Sequence, residues 1–576
     1  MAEVLISPGV LARENDSSFV SKRPVTVGAA IIGPTARGPV EIPTVVTTWN
    51  QFQNIFGTTL ESGSTDNKKN YTYFTSITAY NYFANGGQSL LVARVVSGSG
   101  TSFSPATSSD IAAGDTGAFP LPVFTLETFS EGVIMNSDSV ETAGGNLPDG
   151  SSNNVRWQIV NARSASGTFD LLVRRGNDST LQPVVLETWT NLTLDPNTPN
   201  YISRVIGDFR EIYDSTNKQI VFSGSFANRS NYLRVSNVNY TTPNFFDNAG
   251  VFKPQYTGSI PTNASGAFGG AIGDIPGGVN FYNNINNTNT QGLIGTDYDN
   301  MIDLLSNTDD YKFNVLFTPG LYNTDYTSPI GTLIQTAQNR GDFIYVIDPV
   351  AYGSTVSLAS SEAGTRDTSY GAMYWPWVQV VEPSTGEYVW VPASVSIAGV
   401  YAYNDSVAEP WFAPAGINRG GLNTVVRAEK KLSQGNRNDL YAAKVNPIAT
   451  FPGQGVVVYG QKTLQLRASA LDRVNVRRLL IALKSYISQI ANTLVFEQNS
   501  IATRNQFLSQ VNPYLTSVQQ RQGLYAFKVI MNETNNGPDV IDRNELVGQI
   551  YLQPTKTAEF IYLDFNVTPT GASFPA

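Results

Sequence analysis

The sequence predicts a multidomain α+β protein: a mixed α/β core interrupted by a β-rich insertion, then a C-terminal α+β domain, with an extended arm at each end. Three observations carry this. The chain has 576 residues, too many for one core at roughly 150 residues per domain, so about three or four units are expected. Alternating strand and helix patterns fill 24–97, stop, and resume at about 297. The stretch between is dominated by Ser, Thr, Asn, Gly and Asp, with short β-rich runs.

Residues 1–23 read as an N-terminal arm. Val4, Leu5 and Ile6 are strand formers, and Pro8 stops any helix there. So short a strand has to pair with its own core or with another subunit. In 24–97, Val25 to Ile32 reads as a strand. Thr48 caps a helix carrying Trp49, Phe52 and Phe56, with Gln51 completing a capping box and Gly57 ending it. A second helix carries Phe74, Ile77 and Tyr80 and stops at Asn85-Gly86-Gly87. Ser89 to Val96 alternates as a strand. The core resumes over 297–445, with a helix at Ile302, Leu304 and Leu305, a strand over Phe313 to Phe317, a helix at Ile330, Leu333, Ile334 and Ala337, and a strand over Phe343 to Ile347.

The insertion, 98–296, is expected to be one or two β-rich units. Its clearest strands are Val155 to Val160, Thr168 to Val173 and Val184 to Trp189. Three Asn-x-Ser/Thr triplets, at Asn191, Asn228 and Asn263, read as turn composition. The C-terminal domain, 446–567, opens with an amphipathic helix whose stripe is Val476, Leu479, Leu480, Leu483, Ile487, Ile490 and Leu494. A second helix carries Phe507, Val511, Leu515 and Val518. Strands follow at Leu524 to Met531, Leu546 to Leu552 and Phe560 to Val567, and 568–576 reads as a C-terminal arm.

Composition removes whole classes of chemistry. There is no cysteine and no histidine, so disulfides, thiolate ligands and Ser-His-Asp or Cys-His catalysis are impossible. Carboxylate-only hydrolysis survives in principle, but no acidic pair stands out, and no catalytic residue, metal ligand or cofactor site is assigned. Net charge is −9, a poor balance for nucleic acid. No apolar run approaches the ~20 residues that span a bilayer, and MAEVLISPGV lacks a basic leader, so a cytoplasmically made chain is expected. The densest run, YGAMYWPWVQVVEPSTGEYVWVPASVSIAGVYAYNDSVAEPWFAPAG (370–416), packs Trp, Tyr, Pro and Gly together without reactive groups, which is rigid shape.

Two near-motifs fall short of the chemistry they resemble. Gly455 to Thr463, GVVVYGQKT, misses a phosphate loop because Gln461 separates Gly460 from Lys462. Asp297, Asp299 and Asn300 lack the glycine and distal glutamate of a calcium loop and read as helix capping. A local basic group also stands out in this acidic chain: Arg467, Arg473, Arg477, Arg478 and Lys484, opposed only by Asp472. It is either a solvated helix face or a stripe that docks on an acidic partner.

The chain resembles the contractile tail sheath family. Besides 370–416, the resemblance rests on Gly33-Pro34-Thr35-Ala36-Arg37-Gly38-Pro39, Trp49-Asn50-Gln51-Phe52 with Phe56-Gly57, and Phe83-Ala84-Asn85-Gly86-Gly87 with Ala93-Arg94-Val95. In the insertion it rests on Phe169-Asp170-Leu171 and Glu187 to Leu192. Further on come Arg340-Gly341-Asp342 to Asp348-Pro349, Ala413-Pro414-Ala415, Val445-Asn446-Pro447-Ile448, Gly460-Gln461-Lys462-Thr463 and Phe496-Glu497-Gln498-Asn499. Together these blocks cover roughly 24–97, 155–195 and 310–565. One departure is Glu409-Pro410 and Trp411-Phe412, where the family usually has Arg-Gly and then Trp-Lys.

The resemblance implies a non-enzymatic virion-tail protein, assembled in the host cytoplasm into helical rings around a tail tube. Implied partners are copies of the chain itself, the tail tube protein, and baseplate and tail terminator proteins, with no direct nucleic acid and no membrane insertion. It implies contraction by rearranged subunit interfaces, without nucleotide. It also implies arms that add strands to neighbouring copies: Val4, Leu5, Ile6, Val10 and Leu11 at one end, and Phe560, Ile561, Tyr562, Leu563, Phe565 and Val567 at the other. If the basic group is a docking stripe and not a solvated helix face, the acidic partner it meets would be the tube. The alternative function is a β-rich virion adhesin or glycan-active protein that works through its insertion.

Overall fold

Eight strands form a central sheet in the computed structural model, which describes residues 25–62, 69–97, 103–137, 141–214, 216–273 and 281–560. Their order across the sheet is Gly455–Val458, Val445–Phe451, Gly371–Trp375, Ile344–Asp348, Val315–Tyr322, Ala29–Gly33, Leu90–Arg94 and Thr44–Val46. The six inner strands run parallel, and the strand at each edge runs antiparallel to its neighbour. Parallel strands are joined by crossovers that lay helices on both faces, so both faces must be apolar. The period of two divides them. Ile31, Val92, Phe317, Val346 and Tyr374 join one cluster, beneath the helices Phe74–Ala84 and Ala393–Val407. Ile32, Leu91, Leu316, Ile347 and Met373 join the other, beneath Asp299–Leu305 and Thr327–Arg340.

Local expectations meet this frame with corrections. The run Val25 to Ile32 is two strands. Val25–Val27 pairs with Tyr311–Phe313, and Ala29–Gly33 enters the central sheet. The break falls at Gly28, where a Cβ would stand 2.7 Å from the Tyr82 hydroxyl. The expected boundary at 446 lies inside a central strand, and Val445–Phe451 and Gly455–Val458 extend the sheet on that side. The chain also rejoins the central unit before 297, because Ile285 and Leu293 belong to its two apolar clusters. The expected strand Phe313 to Phe317 is likewise divided, since Tyr311–Phe313 pairs with Val25–Val27 and Val315–Tyr322 enters the central sheet. Thr48 Oγ1 caps the first helix as expected, accepting from the Gln51 amide at 3.1 Å, but Gln51 Oε1 accepts from the Thr47 amide at 2.8 Å, one residue before the N-cap, so the expected capping box does not close.

The insertion holds two four-stranded antiparallel sheets. One is ordered Leu233–Val238, Phe124–Glu131, Pro105–Ser108, Phe268–Gly269, and the other Val185–Thr193, Thr168–Arg175, Val155–Arg163, Ala264–Gly266. Residues of both, including Phe124, Leu126, Trp157, Phe169 and Phe268, pack into one apolar cluster, so the two sheets share a core. The three Asn-x-Ser/Thr asparagines are not simple turn residues: Asn228 and Asn263 accept from the distant amides of Phe209 at 3.0 Å and Ala162 at 2.9 Å, and Asn191 lies within the strand Val185–Thr193.

Two buried guanidiniums join insertion to central unit. Arg37 donates to the carbonyls of Asn54 at 2.9 Å, Asn153 at 3.1 Å and Gln53 at 3.2 Å. Arg94 donates to the carbonyls of Gly38 and Glu131. Burial lowers the Arg94 guanidinium to about 10, with Tyr73 and Glu131 acting against it. A hairpin, Arg210–Asp214 with Gln219–Ser223, adds a second joint. Its Tyr213 and Ile220 pack on the central cluster, and Lys218 Nζ lies 2.6 Å from Asp303.

The aromatic run 370–416 forms the strand Gly371–Trp375, two strands (Val378–Val381 and Tyr388–Val391) that make an antiparallel trio with the later Val425–Ala428, and the helix Ala393–Val407. Trp377 is buried against Phe74, Tyr322 and Tyr352 and donates its indole N–H to the Val350 carbonyl at 3.0 Å. Beside it the Asp348 carboxylate, wholly buried, accepts from the Ser394 amide at 3.0 Å and the Ser394 hydroxyl at 2.5 Å. It satisfies the first turn of the helix Ala393–Val407.

Burial pushes the Asp348 carboxyl up to about 7, against the lowering effect of the two Ser394 bonds. The unfolded chain keeps it near the ordinary ~3.9. Between those values the folded chain holds a proton that the unfolded chain lacks. This group's contribution is therefore fullest below ~4 and is lost as pH rises through 7. Asp348→Asn should remove that dependence: from pH 5 to pH 8, wild type should lose on the order of 2 kcal/mol relative to the variant. Thermal melts of both proteins at the two pH values check this, and parallel pH profiles would contradict it.

Candidate assembly surfaces

The C-terminal unit starts at the helix Val474–Asn492, followed by Ile501–Gln520 and the two-stranded sheet of Leu524–Ile530 with Gln549–Pro554. The predicted stripes are its core: Leu479, Leu483, Ile490 and Leu494 pack with Phe507, Val511, Leu515 and Val518. The sheet lays Phe527, Val529, Ile550 and Leu552 against these helices and turns Tyr525 and Tyr551 to solvent. Each of its strands pairs only with the other among the described residues, so each keeps an unpaired outer edge. Such edges are templates for further strands.

The predicted arm residues Val4, Leu5, Ile6, Val10 and Leu11 lie outside the described residues, as do Ile561, Tyr562, Leu563, Phe565 and Val567. Phe560 is described and is 68% exposed.

The five basic residues do not form one exposed stripe. Arg477 and Arg478 are buried at the joint between the units. Arg478 Nη2 lies 2.5 Å from Asp405 Oδ2, on the helix Ala393–Val407, and its guanidinium sits over the Tyr401 ring at 4.8 Å. Burial alone would lower the Arg478 guanidinium, but Asp405 holds it above its usual value. Arg477 lies over the Tyr370 ring at 4.0 Å and donates to the Ser369 hydroxyl, and burial lowers it. Arg473 pairs with Asp472 and Glu559. Only Arg467 and Lys484 are exposed. The physical reason is that Val474–Leu479 is buried on every side. Arginine is the cation that suits such a place, since its planar fork meets a carboxylate and stacks on tyrosine.

The loop that departs from the family pattern is part of the same joint, a role the sequence did not signal. Trp411 is buried, donates its indole N–H to the Arg521 carbonyl at 3.0 Å and lies under the Arg521 guanidinium at 5.1 Å. Glu409 pairs with Arg521 at 2.6 Å. Asn475 reaches back to the Trp411 carbonyl at 3.3 Å.

The near-motifs are occupied by structure. Lys462 donates to the Tyr441 carbonyl at 2.7 Å, Thr463 to that of Leu471 at 2.9 Å, and the next α-helix begins only at Val474. Asp297 accepts from the Ile294 amide at 2.8 Å, a capping role. Among the described residues no cluster of acidic side chains is arranged to hold a metal, and no helix is long and apolar enough to cross a membrane.

Residues 295–464 match the phage tail sheath protein central domain, and residues 467–568 match the phage tail sheath C-terminal domain. The chain is 48% identical over 185 residues to the tail sheath protein of Vibrio phage KVP40, a stretch that is 32% of this chain and 28% of that relative. It is 40% identical over 185 residues, with the same two shares, to the tail sheath protein of Enterobacteria phage T4. The chain thus spans little over a quarter of the length of these relatives. Two solved structures share its fold. The sheath of the extracellular contractile injection system PVC, in its contracted state, matches over 98% of both chains at 14% identity with a TM-score of 0.50. The sheath tail protein of Listeria innocua matches over 92% of this chain and 96% of that chain at 10% identity with a TM-score of 0.53. None of these likenesses supports the adhesin or glycan-active alternative. Residues 295–464 and 467–568 of this chain are thus similar to the two domains of phage tail sheath proteins.

Proposed function

We propose that this chain is a structural subunit of a contractile tail sheath, polymerising as helical rings around a tail tube and contracting to drive that tube through a target envelope. The observation that carries the reading is the unfinished sheet of the C-terminal unit. Leu524–Ile530 and Gln549–Pro554 form a two-stranded sheet with both outer edges unpaired among the described residues. Two strands alone are marginal, and strands donated by neighbouring copies would complete them. The segments around Val4 to Leu11 and Phe560 to Val567 are the donors in this reading.

The remaining partners follow from it: copies of the chain, a tube, and the baseplate and terminator proteins at its two ends. The protein acts as a mechanical element of a virion tail assembled in the host cytoplasm, and contraction is a rigid-body rearrangement of subunits. Tube-facing charge reduces to Arg467 and Lys484, the two basic residues of the original five that solvent reaches.

Electron microscopy of the purified chain should show tubes or stacked rings, and removal of 1–23 or of 561–576 should leave isolated subunits. A monomer at high concentration would overturn the assembly reading.

Charge reversal separates tube docking from folding. Arg467→Glu and Lys484→Glu should leave the melting temperature unchanged and slow polymerisation on tubes. Arg478→Glu should destabilise the subunit by roughly 2–3 kcal/mol, the penalty for breaking a mostly buried pair whose Asp405 partner is partly solvated. Tube assembly at wild-type rates by the Arg467 and Lys484 variants would remove the docking role.

A further inference from the structure

We propose that Glu559 is a latch that pins the last described stretch of the chain onto the central unit and holds a reserve of tether length. This deepens the sheath reading and rests on it for its purpose, though the latch itself is read from one subunit.

The stretch is fastened at two points that belong to different units. At one end the Thr555 amide and hydroxyl donate to the carbonyls of Gly523 and Gln522 at 3.2 and 2.7 Å, within the C-terminal unit. At the other end the Glu559 carboxylate collects partners from the central unit and the joint. Arg473 grips it with both prongs, Nε to Oε1 at 2.8 Å and Nη2 to Oε2 at 3.0 Å. Tyr441, on the helix Gln434–Ala442, donates its hydroxyl to Oε2 at 2.7 Å. Gln461 donates to Oε1 at 3.0 Å and also to the Thr557 hydroxyl at 2.6 Å. Lys556, Thr557 and Ala558 between the two points are exposed, and so is Phe560 beyond them. The stretch is a surface strap held by its ends.

The chemistry of the carboxylate end sets it apart from an ordinary surface pair. Isolated surface ion pairs contribute little, whereas a bidentate arginine supported by a tyrosine and an amide is geometrically fixed. Burial by itself would raise the Glu559 carboxyl, yet its bonds with Arg473, Tyr441 and Gln461 bring it below the usual carboxylate range. Gln461 is the residue that spoils the phosphate-loop pattern between Gly460 and Lys462, and here it grips a carboxylate of its own chain.

The mechanical consequence follows from reach. While the latch holds, the chain beyond 560 leaves from the central unit. When it opens, 556–560 become free, and five extended residues add roughly 17 Å of span. Copies linked by a terminal strand would gain that span while they slide past one another, without breaking the strand pairing.

Hydrogen–deuterium exchange on the full chain tests this in wild type, Glu559→Gln and Arg473→Gln. In isolated subunits the amides of 556–560 should exchange at least tenfold faster in both variants, with the melting temperature kept. Equal rates in all three proteins would overturn the latch. In assembled wild-type material, protection of 556–560 should differ at least tenfold between extended and contracted sheaths, and equal protection would overturn the length reserve. If wild type forms no tubes, the sheath reading falls, while the isolated-subunit comparison still decides the latch.

Discussion

A parallel sheet cannot leave a face in water, and that constraint organises this molecule. Six parallel strands need crossovers, and crossovers put helices on both faces. Most inner strands therefore alternate between two apolar clusters, and the few polar positions on them, such as Thr318 and Asn446, are buried. The insertion can depart only where a crossover leaves the sheet, after Leu90–Arg94. It is then fixed from outside by Arg37, Arg94 and the hairpin that reaches Asp303. Asp348 belongs to the same economy. It ends an inner strand where a helix begins, and its carboxylate meets the otherwise unsatisfied amide of Ser394.

The joint between the central and C-terminal units is the other place where polar groups go inside. Burying a cation is costly unless a partner and hydrogen bonds accompany it. Arg478 has Asp405 and the Tyr401 face; Arg477 has Ser369 and the Tyr370 face. Trp411 then spans from this joint to the end of the helix Ile501–Gln520. Such contacts transmit force because they are directional. A purely apolar interface can slip by small steps, whereas a bidentate or stacked guanidinium has one seated geometry. For a subunit read as moving by rigid-body rotation, a stiff joint keeps the moving parts at its surface.

Much of this was legible in the sequence. The helix and strand patterns of the central unit, the capping at Thr48 and the two C-terminal helices follow from periodicity and local chemistry, which act over a few residues. What was illegible depends on tertiary partners. Arg477 and Arg478 look like a solvated face because a charge signals water unless its partner, 73 residues away in the case of Asp405, is known. Gly28 splits a β-rich run because Tyr82 needs its space. The strands after 445 belong to the central sheet because their neighbour there is Gly371–Trp375, a pairing no local pattern encodes. The hairpin Arg210–Asp214 with Gln219–Ser223 reads as ordinary β-ribbon, and only its docking on the central unit gives it a role.

The small C-terminal sheet pairs Leu524–Ile530 with Gln549–Pro554. Its inner face packs the partly buried Phe527, Val529, Ile550 and Leu552 against the helices beneath it, which sets the face each strand turns inward. Its outer edges have backbone donors and acceptors and no strand to meet them among the described residues. A protein that folds alone blunts such edges with charge, proline or a covering loop. Here Lys528 and Pro554 are the few such residues, and Tyr525 and Tyr551 stand exposed on the open face. An edge with one register shift, between Leu524 and Ala526, and few blunting side chains suits pairing between copies better than solitude. The rest of the fold, from the doubly covered sheet to the buried arginines, makes that edge rigid enough to be shared.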